Sequence, residues 1–350
     1  MTTIDGAPGL SWPELVEKVL RRENLTEVEA TAAMQDVMAG HAAPAALAGL
    51  LTALAMKGEQ PEEIVGFARA MRRNAVPLSA PIDDVFDTCG TGGDRAGTFN
   101  ISSAAAIVVA ACGVRVAKHG NRSVSSRCGS ADVFEHLGVN VTAQPSVVER
   151  SLREVGIAFF FAPTFHPSMR HAGPTRKELG IRSAFNLLGP LTNPAGATRQ
   201  IVGVAKPELT ELVARALARL GSRRAWVVHG ADGLDELSTT GHTKVSENRD
   251  GSVHTFYVHP GDFGVTRASA ADLVGGDAAE NAATVRAVLD GREGPSRDVV
   301  LLNAGAALFV SGKAASVREG LTLAAQAIDS GAARGTLDRM VRMSQEGRAA

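Results

Sequence analysis

The first 75 residues carry hydrophobic side chains at helical spacing and contain no alternating, strand-like segment. Ser11-Trp-Pro-Glu14 and Thr26-Glu-Val-Glu29 both have the spacing of a capping box, which marks the first turn of a helix. A third helix is predicted over about 44–57, and Pro61 suits the first turn of a fourth. The pattern therefore predicts a small all-helical domain over residues 1–77.

The pattern changes at residue 82, where short apolar runs of the β type begin to alternate with helical stretches. Strands that alternate with helices indicate a mostly parallel sheet flanked by helices. The predicted fold class is α/β, with a large domain over residues 82–345 and helices from about 166–198 joining the helical domain. The predicted strands are 85–89, 114–117, 157–161, 201–205 and 225–228, with a hairpin over 244–258.

Composition limits the classes of protein that remain. Of the 350 residues, 45% are hydrophobic and 21% are charged, which is ordinary for a folded globular protein. A net charge of -1 gives no bulk attraction to nucleic acid or to an anionic membrane. The three cysteines lack C-x-x-C spacing, which favours reduced thiols. With no membrane-spanning run and no secretion signal in the sequence, a cytoplasmic location is expected.

The strongest local motif is Gly90-Thr-Gly-Gly-Asp94, which lies between a predicted strand and a predicted helix. Glycines let a turn adopt positive φ and approach an anion closely, and N–H groups at the next helix N-terminus can bind phosphate. The Walker A spacing is absent, and Arg95 stands where the dinucleotide fingerprint needs glycine or alanine. A phosphate-binding turn of another kind and a plain glycine-rich turn both remain open.

Two clusters downstream supply hydroxyl groups and cations. Ser102 and Ser103 either cap the next helix or donate to phosphate and a hard cation. Residues 118–126 follow a predicted strand, at the position where α/β sheets bind ligands, and contain one apolar member. That composition suits a polyanion, and a solvated loop is the alternative interpretation.

An acidic turn and an arginine complete the candidate chemistry. Asp235 and Glu236 stand close to Asp232, and carboxylates so placed suit Mg²⁺ when phosphate oxygens are nearby. Arg176 could bind a carboxylate through two parallel N–H groups, although a single helical arginine is often only a surface residue. The acidic turn alone would also be consistent with a solvated loop.

Five motifs occur in one order along the chain, and together they closely resemble the anthranilate phosphoribosyltransferase family over about residues 11–345. They are Gly90-Thr-Gly-Gly-Asp94, Asn100-Ile-Ser-Ser103, Lys118-His-Gly-Asn-Arg122, Arg182-Ser-Ala-Phe-Asn-Leu-Leu-Gly-Pro-Leu-Thr-Asn-Pro194 and Asp232-Gly-Leu-Asp-Glu236. The resemblance implies the fold of pyrimidine nucleoside phosphorylases and homodimers formed through the helical domain. It also implies transfer of a phosphoribosyl group from phosphoribosyl pyrophosphate (PRPP) to anthranilate with Mg²⁺, the second step of tryptophan biosynthesis.

The resemblance further implies roles for individual residues. The residues expected to bind PRPP are Gly90, Gly93, Asp94, Thr98, Asn100, Ile101, Ser102, Ser103, Lys118, His119, Gly120, Asn121, Arg122, Ser123, Val124, Ser125, Ser126 and Ser130. The expected Mg²⁺ ligands are Ser102, Asp235 and Glu236. The expected anthranilate contacts are Gly90, Asn121 and Arg176. Catalysis is expected to depend on Lys118, Asn121 and Arg176.

The chemistry of this reaction agrees with the residues present. An aromatic amine is already a neutral nucleophile near pH 7, so positioning and electrostatic stabilisation matter more than a strong base. Two positions depart from the commonest family pattern: Arg95 replaces a small residue, and Ser103 keeps the hydroxyl of the usual threonine.

Two alternatives stand beside this interpretation. A pyrimidine nucleoside phosphorylase of the same fold is disfavoured by Arg176 and the 186–194 run, which suit a carboxylate-bearing aromatic substrate. A non-catalytic relative that binds nucleic acid is disfavoured by the net charge of -1 and by the presence of Asp235 and Glu236.

Overall fold

The computed structural model describes residues 11–94, 96–123 and 127–346. Its first four helices, α1–α4, are Trp12–Leu20, Glu27–Ala39, Pro44–Lys57 and Pro61–Arg73. Ser11 and Thr26 both cap a helix, because each side chain accepts from the backbone N–H three residues on while the glutamate there bonds back to the cap. Both predicted capping boxes and the predicted proline in the first turn of α4 are confirmed.

Seven strands in the described residues form one sheet, in the spatial order β3-β2-β1-β4-β5-β6-β7. The strands β1–β7 are Val85–Asp87, Arg115–Gly120, Ile157–Phe161, Arg199–Gly203, Arg224–Gly230, Thr243–Arg249 and Ser252–Val258. The first five strands in chain order run parallel to one another, whereas β6 runs antiparallel to both β5 and β7. The mostly parallel sheet and the hairpin over 244–258 are therefore confirmed.

Helices fill the connections and the C-terminal part of the chain. The helices α5–α15 are Ile101–Ala111, Ser130–His136, Pro145–Glu154, Ala162–Phe165, Gly173–Leu179, Phe185–Leu188, Leu209–Arg219, Ala278–Leu289, Pro295–Ser311, Val317–Asp329 and Ala332–Ser344. Short 3₁₀ turns are present at Pro167–His171, Gly189–Leu191, Pro260–Phe263 and Ala270–Leu273. In the part of the chain that is described, no helix combines the length and apolar character needed to cross a bilayer.

Strand ends differ from the predicted ones by a few residues. β1 stops at Asp87 rather than at residue 89, because the chain turns there and the Thr91 N–H bonds to the Gly203 carbonyl at 2.8 Å. β2 extends to Gly120, because its pairing with β3 continues to Phe161. Tertiary pairing, which leaves no local signal in the sequence, sets both ends.

Apolar clusters cover both faces of the sheet. On one face, α5 is buried on all sides between the sheet and α13. On the other face, helices α1–α4 share a cluster with α11 and with the second face of β4 and β5. Phe185 and Leu188 of α10 and Leu191 belong to this second cluster. The segment around α10 thus packs with the N-terminal helices, while the proposed domain boundaries stay a prediction.

The order of the strands places a crevice at one edge of the sheet. From β1 the chain moves outward through β2 to β3 and then returns to place β4 on the other side of β1. In open α/β sheets, the connections after two such strands leave in opposite directions and open a ligand site at their carboxyl ends. The loops after β1, β2, β4 and β5 surround that position here, and we call it the carboxyl edge.

Candidate active site

The glycine-rich loop after β1 is held from two sides. Gly92 and Gly93 adopt φ values of 66° and 80°, which confirms the positive φ predicted for this turn. The Arg182 guanidinium donates to the Gly92 carbonyl at 2.8 Å and to the Gly93 carbonyl at 2.7 Å. Arg182 belongs to a predicted motif but had no predicted role, because nothing local in the sequence indicates which carbonyl groups it contacts.

Helix α5 begins beside this loop, and its first residues show that the capping role considered for Ser102 and Ser103 was wrong. Its N-cap is Asn100, whose side chain makes no capping bond, so neither Ser102 nor Ser103 caps the helix. The Ser102 N–H donates to Glu236 Oε1 at 3.1 Å, and the buried Ser103 hydroxyl has no partner among the described residues. Ile101 is 1% exposed, so it could reach a ligand only through its backbone. Thr98 forms a single antiparallel bridge with Val274.

The acidic turn after β5 approaches the glycine-rich loop. The Asp235 N–H donates to Asp94 Oδ2 at 3.4 Å. Gly203 lies directly beneath, since a Cβ there would come within 1.5 Å of the Asp235 carbonyl oxygen. Asp232, by contrast, accepts from the Ser238 and Thr240 hydroxyls at 2.7 and 2.6 Å and braces the turn.

Carboxylates crowd together at this point. Burial raises the pKa of Asp235 well above its ordinary value, and the charges of Asp94 and Glu236 add to the shift. Burial also raises the pKa of Glu236, while the positive charge of Lys118 opposes the increase. Oxygen donors crowded in this way fit a hard divalent cation such as Mg²⁺, which would offset their mutual repulsion. The predicted ligands Ser102, Asp235 and Glu236 therefore fit the ion chemically.

Lys118 lies in a buried polar network that the sequence did not reveal. It is 3% exposed, and its ammonium donates to the Thr88 carbonyl at 3.0 Å. The fully buried Asp87 accepts from the His119 N–H at 3.2 Å and from Asn193 Nδ2 at 2.7 Å. Burial raises the pKa of Asp87 to about 6, and the Lys118 charge limits the increase. Through these hydrogen bonds, Asp87 connects the end of β2 to the segment after α10, which contains Asn193.

A second set of possible metal donors lies within this network. One donor atom each of Asp87, Cys89 and His119 falls within 4.8 Å of the others. Both Asp87 oxygens already accept hydrogen bonds, and burial raises the pKa of Cys89 to about 12, so the thiol keeps its proton. The acidic turn is therefore the better candidate for Mg²⁺.

The loop after β2 folds back onto α6. Arg122 pairs with Asp132 at 3.0 Å and with Glu135 at 2.5 Å, and its guanidinium lies 5.7 Å from the centroid of the Phe161 ring. The Asn121 carbonyl accepts from the Ser130 hydroxyl at 3.3 Å. Gly120 is the last residue of β2, and in the loop that follows the Ser123 N–H donates to Asp132 at 3.2 Å. The predicted ligands Val124, Ser125 and Ser126 lie outside the described residues.

The side of the crevice toward the helical domain has a different character. The Arg176 guanidinium lies 4.8 Å from the centroid of the Phe185 ring, and no carboxylate in the described ranges pairs with it. Burial lowers the pKa of Arg176, but an arginine remains charged near neutrality. It is therefore a half-buried cation that is available to a carboxylate ligand.

Two histidines line this side. His119 Nδ1 donates to the Gly189 carbonyl at 2.9 Å, and the rings of His119 and His166 are 5.3 Å apart. Burial lowers the pKa of His119 to about 3 and that of His166 to about 4, so both rings are neutral near pH 7. The Nε2 atoms of both are buried without a partner among the described residues. His166 was not predicted as a site residue, because only the fold brings it to His119.

Two family models match the chain and define its class. The helical bundle domain of a glycosyl transferase family matches residues 13–75, and the a/b domain of a glycosyl transferase family matches residues 82–334. Fold and site therefore define a two-part glycosyl transferase, with a small helical unit beside a larger α/β unit.

Individual relatives narrow the class. Anthranilate phosphoribosyltransferase from Moorella thermoacetica is 57% identical over 326 residues, 93% of this chain and 96% of that protein. The crystal structure of the Thermus thermophilus enzyme has a TM-score of 0.90 at 47% identity, over 95% of this chain and 99% of that one. The Saccharomyces cerevisiae enzyme in complex with PRPP and Mg has a TM-score of 0.87 at 28% identity, over 95% and 98%. The chain belongs to the anthranilate phosphoribosyltransferase family, as its motifs predicted.

Proposed function

We propose that this enzyme transfers the 5-phosphoribosyl group of PRPP to the amine of anthranilate, the second step of tryptophan biosynthesis. Pyrophosphate leaves, and N-(5-phosphoribosyl)anthranilate forms. The observation that carries the proposal is the meeting of the glycine-rich loop, buried Lys118 and the Asp235-Glu236 pair at one edge of the sheet. These segments are far apart in sequence, and together they suit a doubly phosphorylated sugar with a divalent ion.

This reaction requires the protein to stabilise developing charge more than to transfer a proton. Negative charge develops on the departing pyrophosphate, and positive charge on the ribose. Lys118 is buried, so its ammonium acts in a region of low dielectric constant, where electrostatic interactions are stronger than in water. When bound by Ser102, Asp235 and Glu236, Mg²⁺ would neutralise charge on the pyrophosphate oxygens. The glycine-rich loop offers backbone N–H groups to the same oxygens.

Anthranilate binds, in this proposal, on the side toward the helical domain. Arg176 lacks a carboxylate partner in the described residues and would bind the anthranilate carboxylate. Asn121 and Gly90 are the other proposed anthranilate contacts. The His119 and His166 rings are neutral and add no positive charge to this side, which suits an aromatic ring with one anionic group. The amine then faces the ribose without needing a general base.

Three further expectations, on the domain boundaries, the association of two copies and the cellular location, belong to the same proposal. Residues 1–77, joined by about 166–198, form the helical domain, and 82–345 form the PRPP-binding domain. Two copies associate through the helical domain, where Leu20 of α1 and Met56 of α3 are 65% and 73% exposed. A cytoplasmic location is supported by three cysteines, none of which forms a disulfide within the described residues.

The proposal is tested by the loss of anthranilate fluorescence on addition of PRPP and Mg²⁺. Fluorescence should fall with time, and a chelator should stop the reaction. Thymidine with inorganic phosphate is the matched assay for the nucleoside phosphorylase alternative, and it should yield no thymine. Unchanged anthranilate at every protein concentration would overturn the proposal, and a salt-dependent DNA shift in its place would favour the nucleic-acid-binding alternative.

A further inference from the structure

The amide of Asn100, at the start of α5, is held by its oxygen alone. Its Oδ1 accepts from Asn281 Nδ2 at 3.1 Å and from Cys128 Sγ at 3.3 Å. Its Nδ2 finds no acceptor in the ranges 11–94, 96–123 and 127–346. Two N–H donors of this side chain are thus left over, beside the loop that is proposed to bind phosphate.

Asn281 determines which atom of the Asn100 amide accepts these hydrogen bonds. This residue is 2% exposed in the first turns of α12, and its Oδ1 accepts from the Gly276 N–H at 2.8 Å. A backbone N–H can only donate, so the Asn281 oxygen must face Gly276 and its nitrogen must face Asn100. The Asn281 donor in turn requires the Asn100 oxygen on that side.

We propose that Asn281 is a positioning residue that orients the Asn100 amide, so that Nδ2 is presented to a phosphate group of PRPP. The inference rests on the proposed function, because it needs a phosphorylated ligand at Asn100. A rotated Asn100 amide would present an oxygen to the phosphate, which exchanges a hydrogen bond for repulsion between two acceptors.

Asn281→Asp tests this orientation directly. The aspartate has nearly the same size and can still accept from the Gly276 N–H, but it offers only acceptors toward Asn100. The Asn100 amide should then rotate. The N-terminal turn of α12 favours a negative charge, which helps the variant fold. We expect the KM for PRPP to rise about tenfold or more, with the KM for anthranilate within about twofold.

A double-mutant cycle separates orientation from other effects of the new charge. If Asn281 acts through Asn100, Asn281→Asp adds nothing further in an Asn100→Ala background. Asn281→Ala, which removes the donor without adding repulsion, should raise the KM for PRPP less than Asn281→Asp, and its effect should also vanish in that background. Thermal unfolding of each variant establishes that it is folded, and Asn281→Ala carries the test if Asn281→Asp does not fold.

The experiment uses the full chain with PRPP, Mg²⁺ and anthranilate. An unchanged KM for PRPP in the folded Asn281 variants, or a full effect that persists in the Asn100→Ala background, would overturn the positioning role. An inactive wild-type protein would instead overturn the proposed function, so the two failures are distinguishable.

Discussion

Charged side chains lie at both ends of the sheet's strands: at the carboxyl edge, and at the opposite edge where the strands begin, which we call the amino edge. The charges are compensated differently at the two edges. At the amino edge, a cavity of about 480 Å³ is lined by four cationic side chains, namely Arg115, Arg153, Arg199 and Lys313. Arg153 pairs with Glu149 at 2.8 Å, and Arg199 pairs with Asp84 at 3.0 Å. The helices α5, α7 and α13 also end at this cavity, and helix carboxyl ends favour cations.

At the carboxyl edge the compensation is incomplete. Asp235 is crowded by Asp94 and Glu236, and within the described residues the Ser103 hydroxyl and His166 Nε2 are buried without partners. Buried polar groups without partners cost free energy, which a bound ligand and cation can offset. The comparison teaches that the number of charges does not identify the site, whereas the crowding of buried carboxylates at one point does.

The largest difference is expected from removing one lysine at each edge. Lys118→Ala should lower kcat/KM for PRPP about a hundredfold to a thousandfold, because a buried donor near the leaving group is lost. Lys313→Ala, its control at the amino edge, should leave steady-state kinetics unchanged. A Lys118→Ala enzyme that turns over at a near-native rate would contradict this role for Lys118.

Lys118→Ala also leaves Asp87 buried without its neighbouring cation. The pKa of Asp87, already about 6, should then rise further, so the variant should lose more stability at pH 8 than at pH 5.5. The kinetic comparison should therefore be made well below the unfolding temperature of the variant, determined by circular dichroism.

The next largest effect concerns the arginine on the side toward the helical domain. Arg176→Gln should raise the KM for anthranilate about tenfold to a hundredfold, since a charge-assisted bond is lost, and should leave the KM for PRPP nearly unchanged. Lys177, an exposed neighbour on α9, offers the matched control Lys177→Gln. Equal effects of both substitutions on the KM for anthranilate would argue against a specific carboxylate contact.

The smallest expected effect is on stability and comes from the buried histidine His166. Its pKa is about 4 in the folded protein and about 6.5 when unfolded. The unfolded chain therefore takes up the proton first as the pH falls, and this histidine's contribution to stability is lost between those values. Between pH 7 and pH 5, wild type should lose about 2 kcal/mol more than His166→Gln in urea unfolding. Exposed His254 on β7 supplies the control His254→Gln, and identical pH slopes in wild type and His166→Gln would contradict the assignment.

Much of the fold and of the site was accessible from the sequence, because its signals are local. Capping boxes, prolines in first turns and short apolar runs predicted the helices and strands to within a few residues. The glycine-rich loop and the acidic turn could also be predicted as candidate site segments, because the evidence for them is their residue types and their positions after strands. Strand order then brings these loops together.

The remaining features depend on contacts that leave no local pattern. The pairing of Asp87 with Asn193 spans 106 residues, and the bond between Asn281 and Asn100 spans 181. Arg182 contacts two carbonyl groups in a loop about 90 residues away. In each case the residue type alone was equally compatible with a surface position, and only tertiary structure decides.

The most direct test is a crystal structure of this protein with PRPP and Mg²⁺. The account predicts pyrophosphate oxygens between the Gly90–Asp94 loop and the Lys118 ammonium, with the cation bound by Asp235 and Glu236. Density for PRPP in the cationic cavity at the amino edge, or at the carboxyl edge without contact to Lys118, would contradict it.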